Sequence, residues 1–166
     1  MDTHIDWPDL LDRLVRRFAL PAGSIHGPAH WERVGRHAMH AAAQAGGDVL
    51  VARLFSLFHD VCRENDGDDP RHGARGAQLA AAWRGRYFAL PDAQCDLLCY
   101  ACTWHTAGGL SDDPTIGACW DGDRLDIWRA GYRPRARFMS TDYARALVRA
   151  QHVGPQYLPQ PLSFDE

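Results

Sequence analysis

The sequence predicts an all-α fold, a compact single-domain bundle of six or seven helices, and three observations lead there. Apolar residues recur at three- and four-residue spacings along most of the chain, the connections between these stretches are rich in Gly, Asp and Pro, and no segment alternates as a strand would. With 166 residues, 46% of them hydrophobic and 23% charged, the chain is long enough to bury one core and too short for two independent ones.

Trp7, Leu10, Leu11, Leu14 and Phe18 share one face of a first helix, with Pro8 in its first turn and Pro21 and Gly23 ending it. A second helix starts near Pro28, turns Trp31, Val34, Ala38, Ala41 and Ala45 inward, and stops at Gly46-Gly47. Asp48 caps a third, from Val49 to about Asp60. The polar stretch from Arg63 to Pro70 is a loop; it lacks the spacing and terminal Glu of a calcium-binding EF-hand. Further helices are expected from about Gly73 to Tyr87, Pro91 to about Thr106 and Thr115 to Trp128, with a last one after Ser140 or Thr141. The helical domain then spans 1–152, and 153–166, with three prolines, forms an extended tail packed on the surface or frayed.

Composition excludes several functions. The formal net charge of −3 disfavours general nucleic-acid binding. All 18 basic residues are Arg, which removes Schiff-base and P-loop lysine chemistry. The longest apolar runs, such as Val49 to Phe58, fall short of the ~20 residues that cross a bilayer, so no membrane partner is expected. The opening Met1-Asp2-Thr3-His4-Ile5-Asp6 lacks a secretory signal, and an odd count of five Cys fits reduced thiols; a cytoplasmic location is the expectation. Cys95, Cys99 and Cys102 have the spacing of a radical-SAM iron–sulfur site, but they share one helical face in an apolar run, where Cys acts as a small buried hydrophobe.

The chemistry lies in the histidines. Phe58-His59-Asp60 ends a very apolar helix, where two adjacent polar side chains are costly to bury without partners, and a metal would satisfy both. Around it stand His26-Gly27-Pro28-Ala29-His30-Trp31-Glu32-Arg33-Val34, Arg71-His72-Gly73-Ala74-Arg75-Gly76-Ala77, Trp104-His105-Thr106 and Trp120-Asp121-Gly122-Asp123-Arg124-Leu125-Asp126. Imidazoles and carboxylates together suit borderline or hard divalent cations, and no Cys biases the set toward zinc.

In this arrangement the chain resembles the HD superfamily of metal-dependent phosphohydrolases, over about residues 26–129. The resemblance implies an HD-type helical domain with His30, the His59-Asp60 pair and a late Asp as metal ligands. That Asp is Asp123, with Asp121 as the alternative because Trp120-Asp121-Gly122 replaces the more usual apolar-Ala entry. His72 and His105 look like the two further ligands of binuclear HD proteins similar to symmetric diadenosine tetraphosphate hydrolases. The cofactor implied is one or two divalent ions (Fe, Mn, Co, Ni, Zn or Mg). The reaction implied is hydrolysis of a phosphate ester or anhydride in a small phosphorylated molecule, a nucleotide above all, by attack of metal-bound hydroxide on phosphorus.

His59 and Asp60 are the expected catalytic residues, Asp60 bridging two metals through its two oxygens. Arg63, three residues on, is placed to meet a substrate phosphate. The alternatives are a di-iron oxygenase of the same superfamily and a non-catalytic metal- and nucleotide-binding module. His26 is expected in a supporting loop position, and His37 and His40 on an exposed helix face. Arg133, Arg135 and Arg137, with Arg124 and Arg129, are candidates for an anion-binding edge near the late Asp.

Overall fold

The computed structural model describes residues 5–107 and 109–162. Among them are seven α-helices: α1 (Trp7–Arg17), α2 (Pro28–Ala45), α3 (Val49–Phe58), α4 (His72–Trp83), α5 (Asp92–Trp104), α6 (Pro114–Leu125) and α7 (Asp142–Arg149). Three short 3-10 turns follow α6 or flank α7, and the described residues contain no strand beyond an isolated bridge between Arg84 and Phe88.

Side chains cap the helix starts. Asp6 accepts from the Asp9 amide, Asp48 from Val51, Asp113 from Thr115 and Ile116, and Thr141 from Ala144, each worth about 1 kcal/mol. Gly46, at φ 74°, closes α2 in the left-handed conformation that an L side chain disfavours. Two expected helices end early. The backbone leaves α4 at Arg84, and the amide of Gly85 bonds the Phe88 carbonyl at 2.7 Å in a turn. After Leu125 the chain tightens into the 3-10 turn Ile127–Ala130.

The helix α2 is central, packed chiefly on α6 and α3, while α4 packs on α5. Trp31, Phe55, Phe58, Leu10, Leu14, Leu54 and Leu98 are wholly buried there, each contributing roughly 1.5–3 kcal/mol of transfer free energy. Close crossings admit only glycine at several points, two of them beside the ligand candidates on α6 and α4. A Cβ on Gly122 would lie 2.7 Å from Ala38 Cβ and 2.8 Å from the Val34 carbonyl, so α6 is pressed onto α2. A Cβ on Gly73 would sit 2.2 Å from the Cys102 carbonyl, so α4 begins against the end of α5.

Cys95, Cys102 and Cys119 are buried, Cys62 and Cys99 half-buried, and all five are free thiols. On the other flank, the helix face expected to be exposed is covered. His37 is only 2% exposed because α7 lays Tyr143 over it, with the phenol oxygen 3.3 Å from Nδ1. His40 is half-buried and stacks on the same ring. Beyond a 3-10 turn at Pro155–Tyr157 the tail packs along α2, where His40 Nε2 donates to the Gln160 carbonyl at 2.8 Å and Leu162 rests on the core. Among the described residues no helix is long and apolar enough to cross a membrane.

Candidate metal centre

The six residues singled out as ligands converge from five helices. His30 lies in the first turn of α2, His59 and Asp60 just past α3, His72 opens α4, His105 follows α5, and Asp123 sits in the last turn of α6. All are buried except Asp123, whose side chain is 17% exposed.

Their atoms form two groups that share Asp60. In one, His30 Nε2 and His59 Nε2 are 3.1 Å apart, with Asp123 Oδ1 3.2 Å and Asp60 Oδ2 3.6 Å from His30 Nε2. In the other, His72 Nε2 and His105 Nε2 are 3.0 Å apart, with Asp60 Oδ1 at 3.0 and 3.5 Å from them. Overlapping triplets here, such as His30-His59-Asp123 and His59-Asp60-His105, can hold a metal ion, their candidate ligand atoms lying within 4.8 Å of one another.

Hydrogen bonding decides which ring nitrogen faces inward. The Nδ1 of His59 lies 3.0 Å from the Ser56 carbonyl, that of His72 2.5 Å from the Asp69 carbonyl, and that of His105 2.7 Å from the Cys102 carbonyl. A carbonyl only accepts, so each Nδ1 carries the proton and donates it. His30 Nδ1 likewise donates to Asp126 Oδ2 at 2.7 Å. Each Nε2 of the neutral rings then presents a lone pair, and two lone pairs about 3 Å apart repel rather than bond. A divalent cation would turn that repulsion into ligation, and the mixed nitrogen–oxygen set suits such an ion; the residues fit the cofactor.

Without a cation, protons compete for the same Nε2 lone pairs. Burial by itself would raise the Asp60 carboxyl, yet His59, with hydrogen bonds from His105, His26 and His72, holds it well below the usual carboxylate range. Asp123, also opposed by burial, is held down by His30 and Arg129. Burial drives His59 down to about 3, keeping its ring neutral. His30 and His105 are opposed by burial and raised by their carboxylates, Asp123 and Asp126 for the first and Asp60 for the second.

A ring of side chains holds the cluster. Asp126, fully buried, accepts from both His30 Nδ1 and Arg33 Nε, each at 2.7 Å. His26 Nδ1 donates to Asp60 Oδ2 at 2.7 Å, and its carbonyl accepts from Trp31 Nε1 at 2.8 Å. Arg63 Nε donates to Asp60 Oδ1 at 3.1 Å, and its Nη1 to the Gly67 carbonyl at 3.1 Å. That guanidinium, expected to face substrate, is used to fix Asp60 and the 65–67 loop. Arg129 reaches Asp123 Oδ1 at 3.4 Å and donates through Nε to the Ile25 carbonyl.

Asp121 points elsewhere. It accepts from the amides of Ser140 and Thr141 and from the Thr141 hydroxyl, tying α6 to the start of α7, and only Asp123 enters the cluster. Sequence reasoning missed Asp126 and Arg33. Their signal was present: each lies three residues after a candidate ligand, and so on the same helical face.

No protein-family model and no curated protein matches the chain. Among solved structures it is similar to a predicted HD superfamily hydrolase from an uncultured Thermotogales bacterium, with TM-score 0.70 and 21% identity over 88% of this chain and 84% of that one. The architecture is therefore that of an HD-type helical domain.

Proposed function

We propose that this protein is a metal-dependent phosphohydrolase of the HD superfamily, binuclear like the symmetric diadenosine tetraphosphate hydrolases. In this reading His30, His59, Asp60, His72, His105 and Asp123 are the ligands, and the substrate is a small phosphorylated molecule, a nucleotide or nucleotide-like compound. The observation that carries the reading is Asp60, whose two oxygens face separate pairs of imidazole Nε2 atoms. Divalent ions bound there supply Lewis acidity toward water and a phosphoryl oxygen.

The chain supplies the geometry. Asp60 joins the two halves, held on one oxygen by His26 and on the other by Arg63. His59, buried against Phe55 at a ring-centroid distance of 4.9 Å, is fixed in one tautomer and one plane. Asp126 orients His30 as an outer carboxylate does for a ligating imidazole. Arg129, beside Asp123, puts a guanidinium at the edge of the cluster, where a substrate phosphate would gain charge-assisted hydrogen bonds.

The test is to strip the purified protein with a chelator, count the ions it rebinds, and reload it separately with manganese, iron, cobalt, nickel, zinc or magnesium. Phosphate release from a panel of nucleotides and phosphate esters is expected with at least one metal, and Asp60→Asn should lose both ions and turnover. Turnover by no loaded form overturns the reading, and oxygen uptake with an organic substrate would replace it with oxygenase chemistry.

A further inference from the structure

Between Asp126 and Asp142 the chain carries four arginines, Arg129, Arg133, Arg135 and Arg137, and no acidic residue, in a protein whose net charge is −3. This segment leaves α6, forms the 3-10 turns Ile127–Ala130 and Ala136–Phe138, and bounds a groove of about 510 Å³. Ile127, Phe138 and Met139 line its apolar side, and Arg133 and Arg135, two positions apart, line its charged side. Both arginines are exposed, and neither pairs with a carboxylate among the described residues.

The wall is built rather than incidental. Arg124, itself half-buried, donates to the Phe138 carbonyl at 2.9 Å and to the Gly109 carbonyl at 2.6 Å, which fixes the turn that carries Phe138. The Phe138 ring nevertheless stays 46% exposed, and the neighbouring Tyr132 67%. Exposed aromatic surface beside guanidinium groups without carboxylate partners suits a ligand that is planar and apolar at one end and anionic at the other.

One helix links the groove to the candidate centre: Asp123 of α6 enters the cluster, and the next residue, Arg124, lines the groove. Arg129, from the same segment, reaches back to Asp123.

We propose that this groove is a nucleotide subsite: an aromatic base lies against Ile127, Phe138 and Met139, and a phosphate is met by Arg133 and Arg135. Calling the occupant a substrate rests on the phosphohydrolase reading; the binding itself does not.

The test is titration calorimetry on the full chain, as purified and after chelation, with AMP, adenosine, ribose 5-phosphate and inorganic phosphate. AMP should bind more tightly than any of its parts, and binding should weaken with salt. The double variant Arg133→Gln/Arg135→Gln should weaken AMP binding by about tenfold, with the melting temperature unchanged, while Arg16→Gln on α1 should have no effect. No detectable AMP binding, equal binding of phosphate alone, or AMP affinity untouched by the double variant overturns the proposal. AMP binding without hydrolysis by any metal-loaded form would sink the enzymatic reading and leave this one standing. Hydrolysis with a KM indifferent to the double variant would do the reverse.

Discussion

Acidification should destabilise this protein through His37, a residue outside the candidate centre. Burial under α7 lowers its pKa from 6.5 to about 4, with Asp126 opposing the shift and His40 adding to it, while the Tyr143 hydroxyl faces Nδ1. In the unfolded chain the ring protonates near 6.5, and in the folded one only near 4, so between these values the unfolded state binds more protons and stability falls as pH falls. Each pKa unit is worth about 1.36 kcal/mol, so the full shift removes roughly 3 kcal/mol by pH 4, a large share of a typical domain's 5–15 kcal/mol. At pH 7 and above the ring is neutral in both states and contributes no pH dependence. The assay is urea unfolding of wild type and His37→Phe at pH 7, 6, 5 and 4. Because the other histidines titrate in both proteins, the difference between the two curves isolates His37. The stability gap should shift in favour of the variant by up to ~3 kcal/mol on going from pH 7 to pH 4. A gap that stays constant with pH refutes the reasoning.

Asp126→Asn removes the carboxylate shared by His30 and Arg33, so affinity for a divalent ion should fall by about 10–100-fold in competition with a chromogenic chelator; unchanged affinity would show that His30 needs no such support. Asp121→Asn, which disturbs the anchor to Ser140 and Thr141, should cost about 1–3 kcal/mol in urea unfolding while metal content stays at the wild-type level, whereas Asp123→Asn should lower metal content. Gly122→Ala forces a methyl group against the Val34 carbonyl and Ala38, and should destabilise the fold by about 1–3 kcal/mol; a more stable variant would mean that α2 and α6 can separate without penalty.

Much of the fold was legible because its signals are local. Caps at Asp48 and Thr141, Gly46 after α2, and the apolar faces of α1 to α3 each act within a few residues of where they stand. The candidate ligands were legible for another reason: their short contexts match a known pattern, and all six come together. What escaped was set by contacts between distant segments. Periodicity describes a helix's own faces and not which neighbour will cover them, so His37 and His40 read as exposed until Tyr143, more than 100 residues later, closes over them. Nor does anything local show that Arg63 also bonds Asp60 and the Gly67 carbonyl, which folds back to meet it.

The departure of Gly122 from the usual small apolar residue before the late Asp has a physical account in the packing. Five helix ends must deliver imidazole or carboxylate atoms to points about 3 Å apart, and helix axes separated by ordinary side chains stand 8–10 Å apart. Backbone-to-backbone contact closes part of that gap. Gly73 puts the start of α4 on the Cys102 carbonyl, which brings His72 onto His105; Gly76 puts the same helix on the Phe58 carbonyl, next to His59 and Asp60. Gly122 does the same for α6 against α2, bringing Asp123 onto His30, and here even an alanine methyl would meet the Ala38 methyl at 2.7 Å. The histidines and aspartates form the cluster, and the glycines beside them set the distances between its atoms.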